Sequence, residues 1–369
     1  MENTQEIQKK IVMLAADCGE YDMERSLDEL TLLCESAGYQ VVGEVVQNRD
    51  KPENATYLGE GRMAEAKLVC ANLEADLVVF DAELTGVQIR NTEAILQVPV
   101  IDRTMLILDI FSLRATTNEG KLQVELAQLK YRLPRLIGLG TSLSRQGGGG
   151  GGGGGARRGA GESKLEYDRR YIHSRIDALE EKLDEIEKRR NQTRKARSKQ
   201  GVPVIALVGY TNVGKSSLLN FLCKSDIFAQ DMLFATLDPT ARKFSLPSGQ
   251  NVIFVDTVGF VSRLPHNLVS AFKSTLEEAK YADVIIKLCD ISDPEALAQQ
   301  NVTNEVLESL KCGDIPQLTV YNKCDILENS LLFNAPDFRI SAKTGEGIDA
   351  LLAKLDEILQ DRVQNIDII

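Results

Sequence analysis

The 369-residue chain has no tryptophan, two histidines and only 5% aromatic residues. His173 and His266 stand at no catalytic spacing, so the sequence argues against covalent or histidine-driven chemistry. Cysteine occurs seven times (18, 34, 70, 223, 289, 312, 324), but there is no C-x-x-C pair and the number is odd. Reduced thiols in a cytosolic protein fit that pattern better than a disulfide framework or a zinc site. No apolar run comes near the ~20 residues a membrane helix needs, and residues 1–10 are polar and charged. Positive charge is in deficit too: 43 Lys and Arg face 54 Asp and Glu, for a net charge of −11 and a pI near 5.0. Such a chain does not coat nucleic acid over its whole surface, although local basic patches are compatible with it. The expectation is a soluble, cytoplasmic protein, monomeric by default, whose 43% apolar residues suffice for two or three domain cores.

What is present begins as an alternation. Ile11 to Ala16 is a continuous apolar run suited to a strand buried on both faces, and Leu27, Leu30, Leu33 and Cys34 then repeat at helical spacing within Met23 to Ala37. Strands over Gln40 to Val46, Leu77 to Phe80 and Val98 to Ile101 alternate with helices over Gly61 to Leu73 and Gly86 to Leu96. The class is α/β, with a mostly parallel N-terminal βα domain expected over residues 1–115. Asp17 and Asp81 close two of these strands, where such sheets bind ligands, but polar residues that merely end strands are the plainer reading. Gly59-x-Gly61 alone is a weak phosphate signal.

Beyond Asp102 the pattern turns helical. Leu122, Leu126, Leu129 and Leu133 form one stripe, ended by Pro134, and Ile172, Ile176, Leu179, Leu183 and Ile186 form another. Packed together they make an antiparallel helical hairpin, a coiled coil expected over residues 116–200. Between the stripes lie nine consecutive glycines, Gly147 to Gly155, within a glycine-rich loop over residues 147–161. A flexible linker is the plain interpretation of that run. Its flanks add charge: Arg145, Arg157 and Arg158 border the glycines, and Arg189, Arg190, Arg194 and Lys195 crowd the far end of the second helix. Cations at a helix C-terminus explain part of this, and contact with phosphate-rich RNA is the functional alternative.

The remaining residues, 201–369, carry a nucleotide site. Val204 to Val208 reads as a strand, followed by Gly209, Tyr210, Thr211, Asn212, Val213, Gly214, Lys215 and Ser216, then by a helix beginning at Ser217. Strand, glycine loop and helix form a phosphate-binding loop: backbone N–H groups face the anion, Lys215 reaches the outer phosphates, and the Ser216 hydroxyl takes a magnesium position. Val252 to Val255 leads into Asp256, Thr257, Val258 and Gly259, where the aspartate serves magnesium and the glycine N–H senses a γ-phosphate. Asn322, Lys323, Cys324 and Asp325 follow the strand Leu318 to Tyr321; a carboxylate there accepts from two N–H groups on one edge of guanine, a pair adenine lacks. Ser341, Ala342 and Lys343 follow Phe338 to Ile340 and fit a loop that supports the base. These motifs, in this order, select GTP over ATP. Switch I falls within Phe234, Ala235, Thr236, Leu237, Asp238, Pro239 and Thr240, which offers two threonines to magnesium. Phe260 and Val261 stand where a water-orienting glutamine would be needed, so intrinsic hydrolysis is expected to be slow, with acceleration by a partner, a reordered loop or a potassium ion near Asn212. No side chain is a certain catalyst; Lys215, Thr236 and Gly259 are the groups expected to support the transition state.

With these residues assembled, the sequence resembles the HflX family of translation-factor-class P-loop GTPases, in the Obg-HflX group. The resemblance rests on Thr56 to Arg62 (TYLGEGR), Asp102 to Leu136, Arg158 to Glu166 (RGAGESKLE), Gly209 to Ser216, Phe234 to Asp238 (FATLD) and Asp256 to Phe260 (DTVGF). It implies an N-terminal α/β domain, a helical hairpin and a Ras-like G domain, binding of GTP and GDP with Mg2+, and docking on the large ribosomal subunit and its rRNA, with splitting of stalled or idle ribosomes under stress. It also favours Thr236 as the magnesium threonine. An RNA-remodelling ATPase or a ribosome-assembly regulator working through the N-terminal domain is the alternative, although residues 1–115 show no second Walker loop. The pure glycine run departs from the family pattern, and the ending at Ile369 leads to the expectation of a short form without the extra C-terminal domain.

Overall fold

The computed structural model describes residues 8–145, 158–199, 201–223, 233–234, 237–238, 240–263, 278–326 and 338–366. The side chains of residues 137–145, 158–165, 194–199 and 361–366 lie outside that description. Two compact units result, one running to Leu113 and including Lys121–Leu183, the other formed by Arg114–Gly120 and the chain from Asp184 onward.

The first unit opens with β1 (Lys10–Asp17), α1 (Met23–Ser36), β2 (Gln40–Asn48), α2 (Glu60–Leu73), β3 (Leu77–Phe80), α3 (Gly86–Leu96), β4 (Val100–Asp102) and α4 (Arg103–Arg114). The sheet order is β2-β1-β3-β4, parallel throughout. β1 and β3 are apolar at nearly every position because helices cover both faces, as parallel sheets require. The last strand starts at Val100 and not at Val98, because Pro99 has no N–H to give a ladder; its carbonyl still accepts from the Val78 N–H. Helix starts follow local chemistry: Asp22 caps α1 by accepting from the Arg25 N–H, and Thr85 with Gln88 forms a capping box on α3.

Two carboxylates at strand ends, Asp81 and Asp102, are engaged by neighbours within the unit, whereas Asp17 accepts from the Gly19 N–H in the loop after β1. Asp81 is fully buried, accepts from Ser26 Oγ at 2.5 Å and pairs with Arg103 at 2.8 Å, while Arg103 also reaches Glu29. Asp102 accepts from the N–H groups of Leu84 and Met105 and from the Tyr131 hydroxyl, which fastens the sheet end to a helix. Gly59 gives its N–H to Gln47 Oε1 and serves as N-cap of α2, a local turn role that uses up the weak phosphate signal.

That helix is α5 (Asn118–Arg145), followed by α6 (Arg158–Lys199). In the first unit, Leu122, Leu126, Leu129 and Leu133 share one apolar cluster with Ile172, Ile176, Leu179 and Leu183, and Lys130 pairs with Glu180. Pro134 does not end α5. A helix-interior proline orphans one carbonyl and costs ~3 kcal/mol, but contacts beside it hold the helix together. Arg135 donates to the carbonyls of Tyr131 and Leu84 and lies 3.4 Å over the Tyr131 ring, and Tyr131 is anchored on Asp102. Helix α6 likewise takes in residues 158–161, which the sequence suggested were loop. Two glycines there weaken a helix by about 1 kcal/mol each, a small share within 42 residues of continuous helix. Gly147 to Gly155 and Arg157 lie outside the described residues.

The second unit holds β5 (Val204–Gly209), α7 (Lys215–Cys223), β6 (Thr240–Ser245), β7 (Asn251–Asp256), β8 (Val284–Asp290), α8 (Ala296–Ser309), β9 (Gln317–Asn322), β10 (Phe338–Arg339) and α9 (Ile348–Ile366). The sheet runs β10-β9-β8-β5-β7-β6, with β6 antiparallel to β7 and all other neighbours parallel. One apolar cluster packs α7 and α9 on one face, and a second packs α8 on the other. The carboxyl ends of β5, β7, β8 and β9 therefore emerge on one edge of the sheet, where open α/β folds bind ligands. Among the described residues, no helix is long and apolar enough to cross a membrane.

Candidate nucleotide site

The loop after β5 is shaped by contacts that only its glycines permit. A Cβ on Gly209 would strike the Leu288 carbonyl, and one on Gly214 would strike the Asn322 amide, so both backbones pass against neighbours that cannot retreat. Asn212 is exposed and holds φ +62, the left-handed region that asparagine tolerates. Within this turn Lys215 is buried at 7% exposure, with its ammonium donating to the carbonyls of Gly209 and Tyr210 at 3.1 and 2.7 Å. Burial lowers its pKa to about 8, against the opposing pull of Asp256. A cation so held is poised to trade loop carbonyls for phosphate oxygens. The Thr211 hydroxyl is buried beside it without a hydrogen-bond partner among the described residues. Ser217 is an exposed residue of α7.

Asp256, at the carboxyl end of β7, accepts from the Ser216 hydroxyl at 2.7 Å, so the two expected magnesium groups are already adjacent. Hydroxyl and carboxylate oxygens form the hard donor set that Mg2+ prefers. Thr257 is buried and donates its hydroxyl to the Leu207 carbonyl, and Val258 is buried too. Gly259 has no room for a side chain, since a Cβ would stand 2.8 Å from Thr211 Cα and 2.9 Å from Lys215 Nζ. The backbone at Gly259 therefore passes directly against Thr211 and Lys215. Phe260 forms a bridge with Tyr210: its N–H donates to the Gly209 carbonyl and its carbonyl accepts from the Thr211 N–H at 2.7 Å. Phe260 and Val261 are both buried, so neither side chain faces solvent to orient water.

The base loops are joined to the phosphate loop through one side chain. Asn322 is 2% exposed; its amide donates to the Val213 carbonyl at 2.8 Å, and its oxygen accepts from the Ala342 N–H at 2.8 Å. Asp325 accepts from the Ser341 hydroxyl at 2.6 Å, and that hydrogen bond holds its carboxyl below the usual carboxylate range. The same Ser341 oxygen accepts from the N–H groups of Lys343 and Thr344, which shapes the loop. Lys323, at φ +65, pairs with Asp290 at 2.6 Å, a partner at the end of β8 that no sequence motif indicated.

The segment expected to be switch I is described in part. Phe234 and Leu237 are buried at 2% each, Ala235 and Thr236 lie outside the described residues, and Thr240 opens β6 as the cross-strand neighbour of Asp256. Asp238 turns its carboxylate to Thr116 and Thr117, two residues that sequence reasoning missed; Thr117 carried the faint signal of a hydroxyl residue just before a helix. Among the basic residues, Arg190 is held by Glu119 at 2.5 Å and is half-buried, whereas Arg189 is 79% exposed in its side chain with a long 3.8 Å approach to Glu185. The side chains of Arg145, Arg158, Arg194 and Lys195 lie outside the described residues.

Comparison with known proteins agrees with this geometry. The family described as GTP-binding GTPase N-terminal matches residues 24–112, the GTP-binding GTPase middle region matches 114–197, and the 50S ribosome-binding GTPase family matches 204–323. GTPase HflX of Caldanaerobacter subterraneus subsp. tengcongensis is 50% identical over 351 residues, spanning 95% of this chain and 81% of that protein. GTPase HflX of Escherichia coli K12 is 42% identical over 349 residues, spanning 93% and 80%. Among solved structures, the SsGBP–GDP complex superposes with a TM-score of 0.54 at 24% identity, covering 96% of this chain and 99% of that one, which supports the fold. On the identity and coverage of these relatives, and with matched families running from the first helices into the guanine loop, the chain belongs to the HflX family of GTPases.

Proposed function

We propose that this GTPase is a ribosome factor: in its GTP form it docks on the large ribosomal subunit through rRNA, separates stalled or idle ribosomes, and leaves after hydrolysing GTP to GDP and phosphate. The observation that carries the nucleotide half is the bridge at Asn322, which ties the phosphate loop at Val213 to the base loop at Ala342. Lys215 and the N–H groups of residues 210–216 bind the phosphates, Asp325 accepts from guanine with Ser341 holding it in place, and the Gly259 N–H reports the γ-phosphate. Ser216 and Asp256, with Thr236, would hold Mg2+, which neutralises charge between the β- and γ-phosphates when bound. Asn212, exposed in the phosphate loop, would help hold a K+ ion.

The ribosomal half is supported by the description of the family that matches 204–323 and by the charge on α6. Arg189, mostly exposed and only distantly paired with Glu185, is assigned to meet phosphate, as are Arg145, Arg157, Arg158, Arg194 and Lys195; Arg190 first has to leave Glu119. In this reading residues 1–115 and the hairpin 116–200 engage rRNA while 201–369 times the cycle. The test is GTP hydrolysis by the purified chain with and without large subunits, in parallel in potassium and sodium. Strong stimulation by subunits is expected. Activity that follows potassium alone, with no response to subunits, refutes the ribosomal role.

A further inference from the structure

Four hydrogen bonds converge on Asp238 from a stretch 121 residues or more upstream in sequence. Thr116 donates its N–H and its hydroxyl to Oδ2 at 2.8 and 2.7 Å, Thr117 donates its N–H to Oδ2 at 2.9 Å, and the Thr117 hydroxyl donates to Oδ1 at 2.5 Å. The Thr117 oxygen in turn accepts from the Gly120 N–H at 2.9 Å, so one hydroxyl caps the first turn of α5 and grips the carboxylate at once. Gly120 completes the fit: it is buried, and a Cβ there would fall inside contact distance of Asp238 Oδ1. Burial pushes the Asp238 carboxyl upward, but the hydrogen bonds from Thr117 and Thr116 outweigh this and hold it below the usual range. Two threonines, a glycine and an aspartate thus form a latch within one compact unit, in which Thr117 serves both as a helix cap and as a partner of the carboxylate.

Asp238 lies between the phosphate loop and β6, in the stretch whose conformation a γ-phosphate governs in GTPases of this kind. We infer that Asp238 is a positioning residue: it ties that stretch to the first turn of α5, so the state of the nucleotide and the placement of the hairpin's first turn form one equilibrium. This rests on the GTP-switch reading above and adds the element that receives the signal. Coupling of this sort is reciprocal, so loosening the latch alters the relative affinities for GTP and GDP, although the latch hydrogen bonds run between Asp238 and the start of α5 and not to the phosphate loop.

The test uses the full chain with Mg2+ and either GDP or a non-hydrolysable GTP analogue. Hydrogen exchange is expected to differ at the Thr116 and Thr117 amides by about fivefold or more between the two nucleotides, the low end of ordinary allosteric coupling. Gly120→Ala and Thr117→Val are each expected to move the ratio of GTP-analogue to GDP affinity by a similar factor. Gly120→Ala is the sharper variant, because alanine is the better helix former and a purely structural role predicts a tighter helix with an unchanged ratio. Thr117→Val loses the cap as well, so its melting temperature falls on either view and the affinity ratio alone decides. Identical exchange at residues 116 and 117 in both nucleotides, or an unchanged ratio in Gly120→Ala, overturns the latch while residues 209–216 still gain protection from nucleotide. Failure of the unaltered chain to bind either guanine nucleotide overturns the switch reading itself, and the latch with it.

Discussion

Lys215 sets a measurable limit on where this protein binds nucleotide tightly. Its ammonium is fully buried among loop carbonyls, and the pKa falls from 10.5 to about 8. Holding the charge inside therefore costs on the order of 3 kcal/mol at neutral pH, since each unit of pKa is ~1.4 kcal/mol. The lowered value also fixes the sign for folding. Stability is fullest above the unfolded pKa and declines as pH falls toward 8, because the unfolded chain binds the proton more readily in that window. Nucleotide binding runs the other way. A bound polyphosphate favours the charged form and lifts the pKa again, so binding above pH 8 takes up a proton, and affinity should drop about tenfold between pH 7 and pH 9. Titration of a fluorescent GDP analogue across that range reads the effect directly. In Lys215→Met overall affinity should fall steeply and the pH slope should vanish. An affinity that is flat from pH 7 to 9 in the unaltered protein, or a slope that persists in Lys215→Met, would show that the lysine's burial is not what governs the site.

Three further outcomes are expected. Asp325→Asn removes the acceptor for two guanine donors, and since hydrogen bonds to charged groups are worth roughly 1.5–3 kcal/mol, GTP affinity should fall by about 10- to 100-fold or more. A xanthine nucleotide, which carries a carbonyl in place of the amino group, should recover binding in competition assays. Gly259→Ala places a Cβ 2.8 Å from Thr211 and 2.9 Å from Lys215 Nζ, an overpacking worth ~1–3 kcal/mol; calorimetry should find GTP-analogue binding weakened more than GDP binding. Phe260→Ala empties a site that is 1% exposed, and the loss of ~3–5 kcal/mol should appear as a clear fall in the midpoint of thermal unfolding.

Local chemistry made much of the architecture legible. The strand–glycine–helix order around Gly209 to Ser216, the apolar strands and the paired leucine and isoleucine stripes each follow from short-range periodicity, and the structure places elements there. What escaped sequence reasoning is non-local. Asp238 meets Thr116 and Thr117 across 122 and 121 residues, Arg190 meets Glu119 across 71, and Asp102 meets Tyr131 across 29. No local pattern distinguishes a carboxylate that waits for a ligand from one whose partners arrive from elsewhere in the chain. Asp81 illustrates the ambiguity: its place at a strand end fitted either role until Ser26 and Arg103 were seen to fill it. Pro134 failed as a stop signal for the same reason, because the Tyr131–Arg135 anchorage that offsets it is tertiary.

Phe260 gives the lack of a water-orienting side chain a structural cause. Its backbone joins Gly209 to Thr211 by two hydrogen bonds, and its side chain belongs to the buried apolar cluster that includes Ala206, Val208 and Ile285. The residue is thus an anchor that fixes the chain after Gly259 against the phosphate loop, and a polar replacement there would put an unpaired amide into an apolar core instead of a catalyst beside the phosphate. Restoring glutamine at position 260 should accordingly lower stability without raising the intrinsic rate. Position 260 is occupied by a residue that holds the chain after Gly259 in place, so on the proposed function the group that speeds hydrolysis is expected from a reordered segment of the chain, a bound cation or the surface on which the protein docks.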